Sequence, residues 1–269
     1  MMLQTQPRSK TASGAAWLDR GQGDETVVLI HGVGMRIEAW GPQIDRLAAR
    51  FRVIAVDLPG HGFSAPLDGP AELGSFVAWF DRLLEDLHLG PVNVAGHSMG
   101  ALIATGIVAS HPEKIKRVAL LNGVHRRSAE ARKAVEARAD DIGSGSFDRK
   151  APLTRWFSPE ETSGEAYDLV RGLLQAVDAD GYATAYRAFA TGDRVYADSW
   201  SRVTCPALFL TGDGDLNSTP EMAQSMAAAA PHGRAVIIRG HRHMVNLTAP
   251  AAVSAALEDW LTWEVAHDS

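Results

Sequence analysis

A serine stands between two glycines at the point where an apolar run of strand character gives way to one of helical character. Val92-Asn93-Val94-Ala95 leads into Gly96-His97-Ser98-Met99-Gly100, and Ala101 to Ser110 follows with apolar residues at helical spacing. A nucleophile carried on so tight a strand-to-helix turn needs glycine on both sides, because the strained backbone at Ser98 brings neighbouring chain too close for side chains. The same turn aims the backbone N–H of Met99 into the space beside Ser98 Oγ, at a helix N-terminus that favours negative charge. The G-x-S-x-G string alone is as readily an ordinary turn. Its placement between a buried strand and an apolar helix points to an activated serine.

The surrounding chain repeats the strand-then-helix rhythm. Apolar runs at Val27–Ile30, Val53–Val56, Val92–Ala95, Val118–Leu121, Ala207–Leu210 and Ala235–Ile238 are expected to be central strands, since such runs suit a sheet covered on both faces. Phe76 to Leu87, Ala101 to Ser110 and Ala251 to Glu264 carry helical periodicity. The expected fold class is therefore α/β, a mostly parallel, doubly wound sheet. Between the fourth and fifth runs, His125 to Ser199 is charged and rich in Ala, Arg and Asp, with no strand-like run. We read residues 1–124 and 200–269 as the core and 125–199 as a helical cap inserted at a strand's carboxyl end. In a doubly wound sheet that is where a ligand binds. A length of 269 residues with 46% hydrophobic side chains suits a single core with such a lid.

A formal net charge of -6 gives no basic field to gather nucleic acid or anionic membrane, so neither is an expected partner. A small-molecule substrate is, with a homodimer the one assembly left open. The opening residues lack the apolar run of a signal peptide, and no stretch approaches the roughly 20 apolar residues that span a bilayer, so the cytoplasm is the expected location. The single cysteine, Cys205, excludes an internal disulfide and a multi-thiolate metal cluster, and its place at the start of a strand reads as packing.

Acyl transfer builds an oxyanion that two preorganised N–H groups must hold. Met99 offers one; the glycine-flanked Val33, in His31-Gly32-Val33-Gly34 after the first run, is the candidate for the other. His31 reads as a residue that ties this loop down. Asp57-Leu58-Pro59-Gly60-His61-Gly62 after the second run reads as a rigid loop, and Asp57 is not the acid we choose. Serine is a weak nucleophile near neutrality and needs a base, itself oriented by an acid, from strand ends further along. Asp213 and Asp215 follow the fifth run; His241 and His243 follow the sixth. The two histidines also form an H-x-H pair, but a hydrolytic metal site drawn from them lacks a third ligand unless Asp215 leaves its other role.

Over 15–263 the chain resembles the α/β-hydrolase superfamily. The family's acid loop, Gly then Asp with Pro shortly after, falls on Gly212, Asp215 and Pro220, and its base precedes a Pro by seven residues, as His243 precedes Pro250. The resemblance thus implies a Ser98, Asp215, His243 triad, a Val33 and Met99 oxyanion hole, and neither metal nor organic cofactor. Where some members place the acid after the fourth strand, this chain has Asn122-Gly123.

Leu153 to Pro159 and Asp180 to Ala188 bring a narrower likeness to the 3-oxoadipate enol-lactonases and related ester or carbon–carbon bond hydrolases. That likeness implies cleavage of an ester or lactone through an acyl-enzyme, with carbon–carbon bond hydrolysis as the alternative; if the substrate carries a carboxylate, a guanidinium should pair with it. Arg126, Arg127 and Arg155 are the candidate partners for that carboxylate and Trp156 for the pocket wall, although an arginine on a cap more often faces water. A non-hydrolytic ligand receptor or a cofactor-free oxidative enzyme on the same scaffold stands as the rival reading.

Overall fold

The computed structural model describes residues 7–69 and 71–264. Eight strands form one sheet: β1 (Ser9–Lys10), β2 (Ala16–Arg20), β3 (Thr26–Ile30), β4 (Arg52–Val56), β5 (Val92–His97), β6 (Ile115–Leu121), β7 (Ala207–Gly212) and β8 (Gly233–Ile238). Their order is β1-β2-β4-β3-β5-β6-β7-β8, antiparallel at β1–β2 and β2–β4 and parallel elsewhere. Each of the six apolar runs is a strand. Side chains alternate across the sheet: Val28, Ile30, Ile54, Val56, Val94 and Phe209 enter one core, and Val27, Leu29, Val53, Ala55, Ala95 and Leu208 the other.

Two differences from the sequence reading concern the edges. The antiparallel β1 and β2 carry no long apolar run: β1 is a two-residue exposed edge, and β2, beside it, buries only Ala16 and Leu18. The run ending in Ile238 is expected to be central, yet β8 is the opposite edge, with Arg234 and Ala235 exposed. A short apolar run does not by itself distinguish a strand paired on both sides from one paired on one.

Helices cover both faces. Helix α1 (Gly41–Leu47) lies on one; α2 (Leu73–Asp86) and α3 (Met99–Ser110) lie on the other. Helix α2 buries Phe76, Val77, Phe80, Leu83 and Leu84, a single stripe. Helix α3 is buried along its whole circumference from Met99 to Val108, because sheet, α2 and cap surround it. Between β6 and β7 come α4 (Ala129–Gly143), α5 (Ala151–Trp156), α6 (Glu165–Ala176) and α7 (Ala179–Gly192), with no strand among them. Ser128 and Asp178 cap α4 and α7 through their side-chain oxygens. The chain finishes with α8 (Pro220–Ala229), α9 (Val245–Thr248) and α10 (Pro250–Leu261). No helix among the described residues is long and apolar enough to cross a membrane.

Candidate active site

Ser98 follows the end of β5 with φ 55° and ψ −111°, a conformation that a residue with a side chain seldom adopts. Its neighbours leave no alternative to glycine. A Cβ on Gly96 would lie 2.1 Å from the Gly100 carbonyl, and one on Gly100 2.2 Å from that of Ile30. The turn is pinned from below by the Ser98 N–H, which donates to the Leu121 carbonyl across to β6 at 2.9 Å.

The loops after β7 and β8 meet at this serine. His243 Nε2 lies 3.0 Å from Ser98 Oγ, and His243 Nδ1 lies 2.8 Å from Asp215 Oδ2. All three residues are buried. With Nδ1–H donating to the carboxylate, Nε2 keeps its lone pair toward the serine hydroxyl, the tautomer a base requires. Burial works against ionisation of Asp215, but the facing His243, with hydrogen bonds from His243, Asn122 and the Asn217 N–H, more than offsets it and holds the carboxyl below its usual range. Asp213 and His241 turn elsewhere. Asp213 Oδ1 accepts from the Gly240 N–H at 2.8 Å, and His241 Nδ1 lies 3.0 Å from Glu161 Oε1 and 2.9 Å from Thr248 Oγ1.

Two residues that sequence reasoning passes over hold this arrangement. Asn122, with φ 50°, sits just past β6, where some members of the family it resembles place the acid; its Nδ2 donates to Asp215 Oδ2 at 2.8 Å. His97 Nε2–H donates to the His243 carbonyl at 2.8 Å, and its ring meets Trp40 edge-on. Burial, then the neighbouring His243, pushes His97 down to about 3, so the ring is neutral.

Val33 lines the cleft with Ser98 and His243, and Met99 opens α3 directly after the serine. Neither N–H donates to a turn or loop carbonyl among the described residues. Two neutral histidines brace the loop. His31 Nδ1–H donates to the Gly32 carbonyl at 2.7 Å while Nε2 accepts from the Leu58 N–H at 2.9 Å; His61 Nδ1–H donates to the Pro59 carbonyl at 3.0 Å while Nε2 accepts from the Gly34 N–H at 3.0 Å. Burial lowers both below their ordinary value, which keeps each an acceptor. Asp57 is buried and receives the Ile37 and Phe63 N–H groups and Arg8, the part of a loop anchor.

The cap closes over the serine. Arg138 from α4, Arg155 and Trp156 from α5, and Tyr186 and Phe189 from α7 line the cleft with Ser98, His243 and Asn217. Trp156 stacks on the His243 ring, centroids 5.6 Å apart and planes at 28°. Arg138 donates to Tyr186 Oη at 3.0 Å, and neither Arg138 nor Arg155 forms a salt bridge among the described residues. Burial, then the charge on Arg138, lowers Arg155 from its ordinary value. The other two candidate arginines are not brought to the cleft. Arg126 is exposed and pairs with Asp198. Arg127 is buried over the Phe189 ring, with its guanidinium 3.3 Å from Asp193 Oδ1, an ion pair internal to the cap. The free space beside Ser98 is about 20 Å³, room for one water. A larger groove of about 520 Å³ lies at the amino ends of the strands, by Ile115, Arg117, Cys205 and Trp263, and holds none of these groups.

The alpha/beta hydrolase family model matches residues 27–256. The chain belongs to that family. By class this alpha/beta hydrolase is an enzyme, and several of its relatives are named as hydrolases, lactonases or esterases. It is 51% identical over 247 residues, 92% of this chain and 94% of the other, to (E)-2-((N-methylformamido)methylene)succinate hydrolase of Acinetobacter baylyi. It is 26% identical to 3-oxoadipate enol-lactonase 2 of the same organism, over 88% and 89% of the two chains. The crystal structure of the enol-lactonase from Burkholderia xenovorans LB400 superposes with a TM-score of 0.84 at 27% identity, covering 96% of this alpha/beta hydrolase and all of that chain.

Proposed function

We propose that the chain hydrolyses an acyl bond in a small dicarboxylate, with Ser98 as nucleophile, His243 as base and Asp215 as the orienting acid. The observation that carries this is the coexistence, in one cleft, of the Ser98–His243–Asp215 chain and two cap arginines that have no salt-bridge partner among the described residues. Two guanidiniums facing one cavity repel each other and lose hydration, a cost that a ligand bearing two carboxylates relieves. The 51% identical relative fits that reading: the succinate of its name carries two carboxylates, and the formamido group supplies an amide carbonyl.

In the proposed course, Ser98 Oγ attacks the acyl carbon as His243 Nε2 takes its proton. The N–H groups of Val33 and Met99 donate to the oxyanion, and Asp215 holds the imidazolium. The acyl–nitrogen bond breaks as His243 returns the proton to the leaving nitrogen, leaving an acyl-enzyme. Water, deprotonated by His243, attacks the acyl carbon, and Ser98 leaves with that proton. An enamine nitrogen conjugated to a carboxylate leaves more readily than an ordinary amine. The same argument covers the enol oxygen of an enol-lactone, and the likeness to enol-lactonases keeps that ester-type substrate as the second reading.

Steady-state hydrolysis of (E)-2-((N-methylformamido)methylene)succinate, beside a 3-oxoadipate enol-lactone and its ester analogues, tests the proposal. Amide turnover that is lost in Ser98→Ala and weakened in Arg155→Met supports it. Turnover confined to the lactone moves the bond to the second reading, and turnover indifferent to Ser98 removes the mechanism.

A further inference from the structure

The sequence places a second histidine and an arginine immediately before the proposed base, and the triad uses neither. In the structure each of the three consecutive residues grips the cap. His241 Nδ1 meets Glu161 Oε1 at 3.0 Å. Arg242 Nη1 donates to the carbonyls of Phe157 at 2.9 Å and Thr154 at 3.3 Å. The His243 N–H donates to the Trp156 carbonyl at 3.2 Å. Thr154 and Trp156 end α5 and Phe157 is its C-terminal cap, so these carbonyls are among those a helix leaves unpaired. A guanidinium there also meets the negative end of the helix dipole.

Helix α5 has only six residues, too few to hold together without outside partners. It nonetheless carries Arg155 and Trp156, two of the cap residues that line the cleft with Ser98, and Trp156 stacks on His243. The space beside Ser98 admits about one water, so a substrate enters only when cap side chains move and binds when they return. Whatever displaces α5 pulls on the backbone that carries His243.

We propose that Arg242 is a positioning residue that couples the seating of α5 on the substrate to the alignment of His243, so that the base reaches its working geometry only beneath a closed cap. The proposal rests on His243 being the base. It makes closure a check on the substrate: a ligand whose carboxylates draw Arg155 down also draws the base into place.

The test is steady-state kinetics of wild type, Arg242→Ala and Arg242→Lys on two probes, p-nitrophenyl acetate and the p-nitrophenyl monoester of succinate. Rates are expressed per site labelled at saturation by a fluorophosphonate, which removes any loss of folded protein from the comparison. Arg242→Ala is expected to lower kcat about tenfold and raise KM about tenfold on the succinate ester, while changing both by no more than about twofold on the acetate, with Arg242→Lys recovering most of kcat. A kcat per labelled site within about twofold of wild type on both esters overturns the coupling, as does a change confined to KM. His243→Ala is run on the same esters. If it turns over like wild type, the base assignment fails and takes the coupling with it; if it is inactive while Arg242→Ala is unchanged, the coupling alone fails.

Discussion

Replacing Arg155 with Met removes one cleft guanidinium and keeps an unbranched apolar side chain at that place on α5. In the free protein Arg155 forms no salt bridge among the described residues, is half-buried, and shares the cleft with Arg138. Its charge is thus a burden on folding, and its removal is expected to stabilise the protein by about 0.5–1 kcal/mol, the size typical of relieving such a site. For a chain of this length that is a rise in Tm of roughly 1–4 °C. Toward a carboxylated substrate the same change removes a charge-assisted hydrogen bond, worth about 1.5–3 kcal/mol. That corresponds to a fall in kcat/KM of about 10- to 150-fold. Stability and activity should therefore move in opposite directions. Thermal melts and kinetics on the succinate monoester read both quantities from one preparation. A variant that melts lower than wild type and keeps its kcat/KM refutes the reasoning, because Arg155 would then be a structural residue.

His97 is held neutral down to about pH 3, whereas an unfolded histidine protonates near 6.5. Between those values the unfolded chain binds the extra proton, so stability falls as the pH drops through this window, by up to about 1.4 kcal/mol per pH unit for such a group. His97→Gln is expected to flatten urea-derived stability between pH 6 and pH 4; a slope unchanged from wild type contradicts it. Asn122→Ala removes a hydrogen bond to the Asp215 carboxylate, and a loss of about 1–2 kcal/mol of catalytic stabilisation predicts a kcat lowered roughly 5- to 30-fold with KM little changed. A shift in KM alone would mean that Asn122 serves the ligand rather than the acid.

Where one local rule decided the outcome, the sequence was readable. The elbow at Ser98 needs glycines whose reason is backbone contact, and the six apolar runs became strands because alternate side chains fill two cores. Asp215 and His243, which the family resemblance singles out from Asp213 and His241, stand within hydrogen-bond reach of one another, and His243 within reach of the serine. What stayed hidden was set by long-range packing. Arg138 looks like any arginine on a charged helix until α4 is laid over the sheet, and Arg127, unlike Arg155, is buried against Phe189 beside Asp193 and away from the cleft. Asn122 is visible only as a missing carboxylate; in the structure its amide donates to Asp215, the proposed acid. His97 occupies a variable place in the elbow pattern, and nothing in that pattern says that its ring reaches the backbone of His243.

The central claim is that Ser98 is activated by His243, and intact-protein mass spectrometry after a fluorophosphonate probe addresses it directly. Wild type should gain a single adduct, mapped to Ser98, that is absent from Ser98→Ala and formed far more slowly by His243→Ala. An adduct that forms at the wild-type rate in His243→Ala, or a wild-type protein that gains none, would contradict the account.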